Sequence, residues 1–505
     1  MDNAETELKL QLDAAAVAKL RRLRWLRDLR LAPAVTQRQS SAYFDTPDLR
    51  LRRAGIATRI RTIGSRRVQT VKMAAEPGSL TRSEWEHVTD RTVPDLTDLG
   101  DNAAAPLLAG IATEQLQPVF RADVHRTAYR LGKADWLVEM VIDVGDIVAG
   151  QARLPISEVE FELLSGQPRH LYALAAELAA RLPVRMRLDS KADRGYALLA
   201  GAPPVPSKWR PPRLSETATV ADTFRKMARS CLAHLLANEA CLSGSGDPEA
   251  IHQIRVALRR LRSIVAVFRP ALSPETAAAI DAEMKWLLRQ LGPARDTDVF
   301  IAEILAPVAA RRPQDDGVQR LLEDFEARKE RHYHDAQSAL ASARCAQLFI
   351  GIGAWIEDDA NNADGTAASG AAAAEFARTV LDRRHRKLRK AGRNLADMTP
   401  GDRHRIRILV KKLRYAAEFF AGLFADKRTR RYATALADLQ DRLGELNDVA
   451  VAQSLLEEIG RDAEQVERHW AAGLVTGWHI QLSGGQLDAA AKAWSHYQER
   501  ARFWR

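Results

Sequence analysis

The 505-residue sequence predicts a two-domain α+β protein. An N-terminal antiparallel β-barrel or tunnel with flanking helices precedes a C-terminal all-α helical bundle made of two pseudo-symmetric repeats. Three observations predict this architecture. Charged and apolar side chains alternate along segments of residues 1–200, residues 201–214 are rich in proline, and residues 215–505 combine helical periodicity with an internal repeat. A chain of this length is also expected to form two or more domains.

The first predicted strand covers residues 4–12 and reads Ala-Glu-Thr-Glu-Leu-Lys-Leu-Gln-Leu. Successive side chains of a strand point to opposite faces, so Glu5, Glu7 and Lys9 project together. Residues 158–162 repeat this pattern, with three glutamates alternating with valine and phenylalanine. Carboxylates this close repel one another unless a cation lies between them. A hard divalent cation that holds a phosphate chain fits this requirement.

Charged residues of both signs recur with one parity on later predicted strands. They include Arg59, Arg61, Lys72, Arg82, Glu84, Glu86, Glu139 and Asp143, while Arg121 and Arg126 flank a further run. A single strand of this kind is typical of the solvated face of an antiparallel sheet. Its recurrence on strand after strand predicts instead a closed barrel with a wet, charged lumen.

The Glu-x-Glu-x-Lys opening resembles the signature of the CYTH superfamily, the triphosphate tunnel metalloenzymes. Residues 43–48, 51–61, 158–162 and 190–196 also resemble segments of that family, in the same order. The resemblance covers about residues 1–200 and is specific, because several separate motifs agree. It implies an antiparallel β-tunnel that binds a linear triphosphate with Mg²⁺ or Mn²⁺.

The resemblance also implies roles for individual residues. The metal ligands would be Glu5, Glu7, Glu160 and Glu162, and the catalytic set would be Lys9, Glu5 and Glu7. With Lys9, the phosphate path would be lined by Arg59, Arg61, Lys72, Arg121, Arg126 and Lys191. These residue types suit phosphoryl transfer, which needs mainly positioning and charge neutralisation. Arginine forks match phosphate oxygens, and a metal on the carboxylates would orient a terminal phosphate and an attacking water.

The cysteine content argues against zinc and redox functions, and the net charge favours an acidic partner. Cys231, Cys241 and Cys345 lie outside residues 1–200 and form no Cys-x-x-Cys pair, so we expect reduced, buried thiols rather than zinc or redox chemistry. No transmembrane run or signal peptide is evident, and we expect a cytoplasmic protein, with polyphosphate granules as a site of association. A net charge of +10 and a pI near 9.6 favour an acidic partner.

The C-terminal half contains an internal repeat with an offset of 152 residues. The segment at 252–262 reappears at 404–414, and the segment at 291–296 reappears at 443–448. Phe224 and Phe376 keep the same offset. Two elements that hold one spacing indicate duplication of a helical unit. The halves cover about residues 215–355 and 370–505, and the low-complexity residues 357–374 between them predict a loop.

Each repeat carries a basic stripe on one predicted helix. The first stripe contains His252, Arg255, Arg259 and Arg262, and the second contains His404, Arg407, Lys411 and Arg414. At 100° per residue the four members of a stripe fall within about 80°. A single basic stripe is usually a solvated face, but two in register indicate one shared surface that binds a polyanion. This half resembles the CHAD domain, a helical module implicated in polyphosphate binding.

Nucleic acid is a less favoured partner for this surface, because no helix-turn-helix, zinc finger or base-stacking aromatic pattern is evident. His252 and His404 are interpreted as phosphate or core contacts rather than as catalytic groups.

Three functions fit the sequence. The favoured one is a metal-dependent inorganic triphosphatase, as in the bacterial CYTH–CHAD proteins that this chain resembles, with a helical domain that recruits polyphosphate. The second is a tunnel enzyme acting on an organic triphosphate, either a thiamine triphosphatase or an adenylate cyclase. Trp25 and Trp85 are the suggestive aromatics for such a substrate, and each fits the core equally well. The third is a non-catalytic polyphosphate-binding protein, which the many carboxylates disfavour.

Overall fold

The computed structural model describes residues 4–97, 104–108, 110–201, 204–245, 247–358, 370–424, 427–462, 466–482 and 485–505. The chain forms two compact units. The tunnel unit comprises residues 1–208, 229–254 and 340–358, and the helical unit comprises residues 209–228, 255–339 and 359–505. Residues 202–203 of the predicted linker and 359–369 of the predicted loop lie outside the described residues.

A closed antiparallel barrel forms the centre of the tunnel unit. The strands found among the described residues are β1 (Ala4–Gln11), β2 (Val35–Asp45), β3 (Ile56–Ile63), β4 (Arg66–Met73), β5 (Thr81–Val88), β6 (Gln117–Lys133), β7 (Trp136–Ala149), β8 (Ala152–Ser165) and β9 (Arg185–Arg187). Their order is β5-β4-β3-β2-β6-β7-β8-β1-β9, and an additional pairing of β1 with β5 closes the first eight strands. The predicted barrel is confirmed.

The helices of the described chain follow the two-domain division of the sequence in part. They are α1 (Ala14–Leu20), α2 (Arg24–Leu29), α3 (Arg50–Arg53), α4 (Ala105–Leu108), α5 (Arg169–Ala179), α6 (Lys191–Ala200), α7 (Val220–Ser245), α8 (Pro248–Phe268), α9 (Pro274–Gln290), α10 (Gly292–Val299), α11 (Ala306–Arg311), α12 (Asp316–Ala341), α13 (Ala343–Glu357), α14 (Ala373–Ala391), α15 (Pro400–Phe420), α16 (Lys427–Asp462), α17 (Val466–Leu482) and α18 (Gln486–Gln498). No single described helix is long and apolar enough to cross a membrane, although the bent pair α12–α13 meets the length and composition requirements jointly.

The apolar parity of the strands faces outward and is covered by helices. Met140 and Ile142 on β7 and Phe161 on β8 are fully buried. Helix α5 packs against β1 and β8 and buries Leu171 and Leu178 there. The alternation that places these side chains outside therefore places the charged residues of the same strands in the lumen.

Asp45 joins the end of β2 to two helices of the tunnel unit. Its carboxylate is fully buried and accepts backbone N–H groups of Thr46 at 2.8 Å, Leu51 at 2.9 Å and Arg52 at 3.0 Å. It also accepts the hydroxyl of Tyr196 at 2.7 Å. Asp45 of the Tyr-Phe-Asp-Thr-Pro-Asp segment therefore anchors α3 and α6 beside the barrel rather than contributing a ligand to the lumen.

Parts of α7 and α13 belong to the tunnel unit, although the sequence division at 201–214 assigns them to the helical domain. Gly78, with φ of +81°, lies so close to Arg229 of α7 that an added Cβ would be 2.2 Å from the backbone oxygen of that residue. Gly353 of α13 is in similar contact with Tyr172 of α5. A charge-assisted contact between Arg229 and Glu357 joins the two helices. Gly78 meets the backbone of Arg229 and Gly353 meets the ring of Tyr172, and neither close approach leaves room for a Cβ. Such contacts are invisible to sequence periodicity.

The helical unit shows the predicted repeat directly. Helices α8 and α15 each have 21 residues, run from proline to phenylalanine and are offset by 152 residues. Phe224 lies 5.7 Å from Phe268, and the repeat-related Phe376 lies 6.2 Å from Phe420, measured between ring centroids. Phe268 and Phe420 are themselves 5.8 Å apart. The two halves thus meet at a shared aromatic core, and the pseudo-symmetric bundle is confirmed.

The three cysteines are buried and form no disulfide bond, as predicted.

Candidate functional site

The carboxylates and the lysine of β1 point into the barrel. Antiparallel pairing places Glu7 opposite Glu162 and Lys9 opposite Glu160 of β8. The ammonium Nζ of Lys9 lies 2.7 Å from Glu7 Oε1 and 3.7 Å from Glu160 Oε1. Leu8 and Leu10, of the other parity, are buried outside the lumen. The local alternation predicted for this strand therefore produces the expected charged face.

The lumen is a cavity of about 1570 Å³ in which all but one of the predicted tunnel residues lie. The predicted residues that line it are Glu5, Glu7, Lys9, Arg59, Arg61, Lys72, Arg126, Glu160, Glu162 and Lys191. They come from β1, β3, β4, β6, β8 and the first turn of α6, so the closed barrel brings together residues almost 190 positions apart.

Arg121 is the correction to the predicted phosphate path. Its side chain is 56% exposed on the outer face of β6 and pairs with Asp123, with Nε 2.8 Å from Oδ2. Arg121 and Arg126 are an odd number of residues apart on one strand, so they point to opposite faces. The prediction that both line the tunnel was wrong for Arg121.

Lys191 lies among three buried carboxylates at one side of the lumen. Its Nζ is 2.8 Å from Asp143, 2.5 Å from Glu158 and 3.0 Å from Glu160. Oxygens of these three carboxylates lie within 4.8 Å of one another, a spacing that could hold a metal ion. Arg126 also donates to both oxygens of Asp143, at 2.8 and 2.6 Å. Arg194 Nη2 lies 2.5 Å from Glu158, so the three negative charges of this group are already balanced by Lys191, Arg126 and Arg194.

The cationic side chains around Glu160 also control its pKa. Burial alone would raise the pKa of Glu160, but the charges of Lys191, Lys9 and Arg126 lower it well below its ordinary value. A metal ion at this position would have to displace the Lys191 ammonium.

A second acidic group surrounds Glu5 and Glu84. The Nζ of Lys72 is 2.8 Å from Glu5 and 2.6 Å from Glu84, and Arg82 Nε is 3.0 Å from Glu5. Burial and the hydrogen bond with Glu5 raise the pKa of Glu84 to about 8. Burial opposes ionisation of Glu5 as well, but the hydrogen bond with Glu84 and the charges of Lys72 and Arg82 give it a net lowered pKa. The two carboxyl groups therefore share one proton at neutral pH.

Glu162 carries negative charge that its surroundings compensate poorly. Burial, followed by the charges of Glu5, Glu139 and Glu7, raises the pKa of Glu162 to about 7, although Lys72 offsets part of this effect. A raised pKa caused by neighbouring carboxylates marks a place where a cation would be stabilised. Oxygen ligands of this type suit Mg²⁺ and Mn²⁺. Glu162 therefore marks one place where a cation would be stabilised. Glu5 and Glu7 already contact Lys72, Arg82 and Lys9. Among the described residues, the carboxylate oxygens that lie close enough together to share an ion belong to Asp143, Glu158 and Glu160.

Arg59 provides an unused hydrogen-bond donor in the lumen. Its Nη1 donates to the Tyr43 hydroxyl at 3.3 Å, and Nη2 lies 3.6 Å from Glu86. Its Nε is buried and has no hydrogen-bond partner among the described residues. Buried polar groups are nearly always paired, so this donor indicates an anionic ligand. Arg61, two residues on, contributes a second guanidinium to the same wall, 3.3 Å from Glu86.

Several lumen residues were not assigned to the site from the sequence. They are Tyr43, Arg82, Glu84, Glu86, Glu139, Asp143, Glu158, Arg187 and Arg194. Strand parity had already placed Arg82, Glu84, Glu86, Glu139 and Asp143 on the charged face, but no role followed for them from parity alone. Tyr43, Arg187 and Arg194 carry no such signal, because their place in the lumen depends on how β2, β9 and α6 meet the barrel.

The two basic stripes of the helical unit come together at Lys411. Burial, and then the positive charges of Arg259, Arg407, Arg414 and Arg255, lower the pKa of Lys411 to about 7. Residues of α8 and α15 therefore share one surface, as the repeat predicts.

The other residues of the two stripes differ in their exposure and in the contacts that they make. Arg255 is only 6% exposed, and its Nη1 donates to the carbonyl of Leu288 at 3.0 Å, while its Nε has no partner among the described residues. Arg262 pairs with Asp281 at 2.6 Å and Arg414 with Glu418 at 2.8 Å. On α8 His252 is half-buried, and on α15 His404 is exposed.

Comparison with known proteins agrees with this geometry. A family model of the CYTH domain matches residues 3–196, and a model of the CHAD domain matches residues 226–457. An uncharacterized protein of Mycobacterium tuberculosis is 27% identical over 446 residues, which cover 82% of each chain. An inorganic triphosphatase of Haemophilus influenzae is 30% identical over 161 residues, 31% of this chain and 45% of that protein. This chain thus spans less than half of the triphosphatase.

A solved structure supports the C-terminal assignment. The CHAD domain of the plant Ricinus communis is 32% identical, with a TM-score of 0.51 over 59% of this chain and 98% of that domain. A charged tunnel at residues 3–196 and a duplicated helical bundle at 226–457 account for both family matches. The chain belongs to the proteins in which a CYTH domain is followed by a CHAD domain.

Proposed function

We propose that the tunnel hydrolyses inorganic triphosphate to diphosphate and phosphate with the help of Mg²⁺ or Mn²⁺. The observation that supports this most strongly is that one lumen contains groups suited to a cation and groups suited to an anion. Glu162 and its carboxylate neighbours favour a cation, while the buried Nε of Arg59 offers a hydrogen-bond donor to an anion. A metal-bound triphosphate satisfies both.

Each wall of the lumen would contribute a separate function. Arg59, Arg61 and Lys72 would bind phosphate oxygens and hold the chain along the lumen. Lys9, fixed between Glu7 and Glu160, would neutralise charge that develops on the phosphate being transferred. A metal on Glu5, Glu7 and Glu162 would supply Lewis acidity and lower the pKa of a bound water. Arg126 and Lys191 would keep the Asp143 group fixed beside this path.

The helical unit would recruit longer phosphate polymers. Positive charge is concentrated on the surface formed by Arg255, Arg259, Arg407 and Lys411. After burial, the groups that lower the pKa of Lys411 are all neighbouring arginines. Such a surface binds a polyanion chiefly through counterion release. We therefore assign inorganic triphosphate to the tunnel and polyphosphate to the helical unit, in a cytoplasmic protein that associates with polyphosphate granules.

Phosphate release from four substrates tests this function. Full-length protein would be compared on inorganic triphosphate, ATP, thiamine triphosphate and long-chain polyphosphate, with Mg²⁺, with Mn²⁺ and with EDTA. We expect the largest kcat/KM with triphosphate and no activity in EDTA. A preference for ATP or thiamine triphosphate would assign the tunnel to organic triphosphates. Retention of activity in EDTA would contradict the metal-dependent mechanism.

A further inference from the structure

The lumen extends past Lys9 to a pair of arginines on β9. This strand pairs with β1, placing Arg187 opposite Lys9 and Arg185 opposite Gln11. Residues two apart on a strand share a face, and Arg185 and Arg187 both line the cavity while Met186 between them is buried. Arg185 lies roughly 7 Å beyond Arg187 along the strand.

Helix α7 holds Arg185 at this end of the lumen. The Nη1 of Arg185 donates to Ser243 Oγ at 2.5 Å and lies 3.5 Å from Glu239 Oε1. Glu239 is only 3% exposed, so its carboxylate depends on a cationic partner for compensation. The Arg185 side chain itself remains 39% exposed and can still contact a ligand. These contacts lie within the tunnel unit, because residues 229–254 belong to it.

The size of the cavity leaves room for a ligand longer than triphosphate. Its volume of about 1570 Å³ exceeds the range of about 300–1000 Å³ that encloses drug-sized molecules. Ala237 and Ala240 of α7 line the same cavity as Arg185 and present no charge of their own. Arg187 donates to both oxygens of Asp189, which also lines the cavity, at 2.7 and 2.6 Å. Arg185 is therefore the arginine of β9 that is better placed to contact an additional phosphate.

We propose that Arg185 binds a phosphate group beyond the three held near Lys9, and that Glu239 is a positioning residue that fixes its guanidinium. The tunnel then accepts linear phosphate chains longer than triphosphate, and Arg185 determines the preference between chain lengths. This inference rests on the proposed function, because it requires a linear phosphate chain in the lumen.

Binding without turnover tests the role of Arg185. Isothermal titration of the full chain in EDTA would use linear inorganic triphosphate and tetraphosphate. We expect wild-type protein to bind tetraphosphate more tightly, and Arg185→Ala to weaken tetraphosphate about tenfold, as expected for one charge-assisted hydrogen bond. Triphosphate affinity should stay within about twofold of wild type, because triphosphate does not reach Arg185. Arg153→Ala on β8 is the matched control, since it removes an exposed arginine and should leave both affinities unchanged.

Two further variants separate positioning from folding. Arg185→Lys keeps the charge without the fork and should retain part of the tetraphosphate preference. Glu239→Gln should raise the KM for tetraphosphate several-fold, leave kcat unchanged and spare triphosphate, whereas a merely structural role would lower kcat for both substrates.

Unchanged tetraphosphate binding in Arg185→Ala, or equal weakening of both ligands, would overturn the inference. The proposed function fails separately: wild-type protein with Mg²⁺ would release no phosphate from triphosphate, even where the titrations retain their dependence on Arg185.

Discussion

Substituting Glu162 by glutamine should stabilise the metal-free tunnel unit and abolish its response to metal. The folded protein holds the pKa of Glu162 at about 7, above its ordinary value of 4.5. A group whose pKa is raised on folding binds more protons in the folded state, so stability falls as pH rises between these two values. Above pH 7 the folded protein carries the full destabilisation of an ionised, poorly compensated carboxylate.

The magnitude follows from the size of the pKa shift. One pKa unit corresponds to about 1.4 kcal/mol, which sets an upper limit of about 3 kcal/mol for the shift of Glu162. The carboxyl group is only partly buried, so solvent screening reduces this to about 1–2 kcal/mol. For a unit of this size, that raises the unfolding midpoint by roughly 3–6 °C.

Thermal unfolding in EDTA at pH 8.5 and pH 5 measures this effect. Glu162→Gln should raise the midpoint at pH 8.5 and change it little at pH 5, where the folded wild-type protein holds Glu162 protonated and therefore uncharged, like the glutamine. Glu114→Gln, at an exposed carboxylate, is the control and should change neither midpoint. Added Mg²⁺ should raise the midpoint of wild type but not of Glu162→Gln. The reasoning is refuted if the variant is no more stable at pH 8.5, or if it gains equally at pH 5.

Three further predictions follow from other parts of the molecule. Arg126→Ala should reduce triphosphate kcat/KM by two or more orders of magnitude, since it unbalances the buried Asp143 group, whereas Arg121→Ala should match wild type in the same phosphate-release assay. Polyphosphate affinity of the full chain should fall as pH rises through about 7, because the pKa of Lys411 lies there, and Lys411→Arg should flatten this dependence in isothermal titration. Asp45→Ala should lower the stability of the tunnel unit by about 3–5 kcal/mol in urea unfolding, because four buried donors lose their acceptor; a loss below about 1 kcal/mol would contradict the anchoring role.

Much of the lumen could be predicted from the sequence because strand periodicity is local. The parity of Glu5, Glu7 and Lys9 is a property of one strand, and the structure preserves it. Arg121 was misplaced because it was grouped with Arg126 by proximity, although the odd spacing between them puts the two on opposite faces. Pairing between charged groups could not be predicted in this way. That Lys191 lies among three carboxylates depends on where α6 meets the barrel, which only the closed fold determines.

The repeat of the helical unit was predictable for a different reason. A fixed offset of 152 residues is preserved in sequence and reappears in the matching bounds of α8 and α15. Duplication then implies that two basic stripes share one surface, and burial followed by repulsion from neighbouring arginines of both stripes lowers the pKa of Lys411. Repulsion of this kind destabilises the free protein and is relieved when a polyanion binds, so the same cluster that weakens the unit strengthens its affinity for the ligand.

The extent of the tunnel unit is the feature that sequence motifs describe least well. The family motifs end near residue 196, yet residues 229–254 pack against the barrel through Gly78 and hold Arg185 through Glu239. A fragment that ends at the proline-rich linker would keep every predicted catalytic residue and lose the partner of Arg185. Its guanidinium would then be held by neither Ser243 nor Glu239, so the fragment would retain the triphosphate site and lose the preference for longer chains. Residues 229–254 therefore line the tunnel cavity and pack with the barrel, although the sequence division at the proline-rich linker places them in the helical domain.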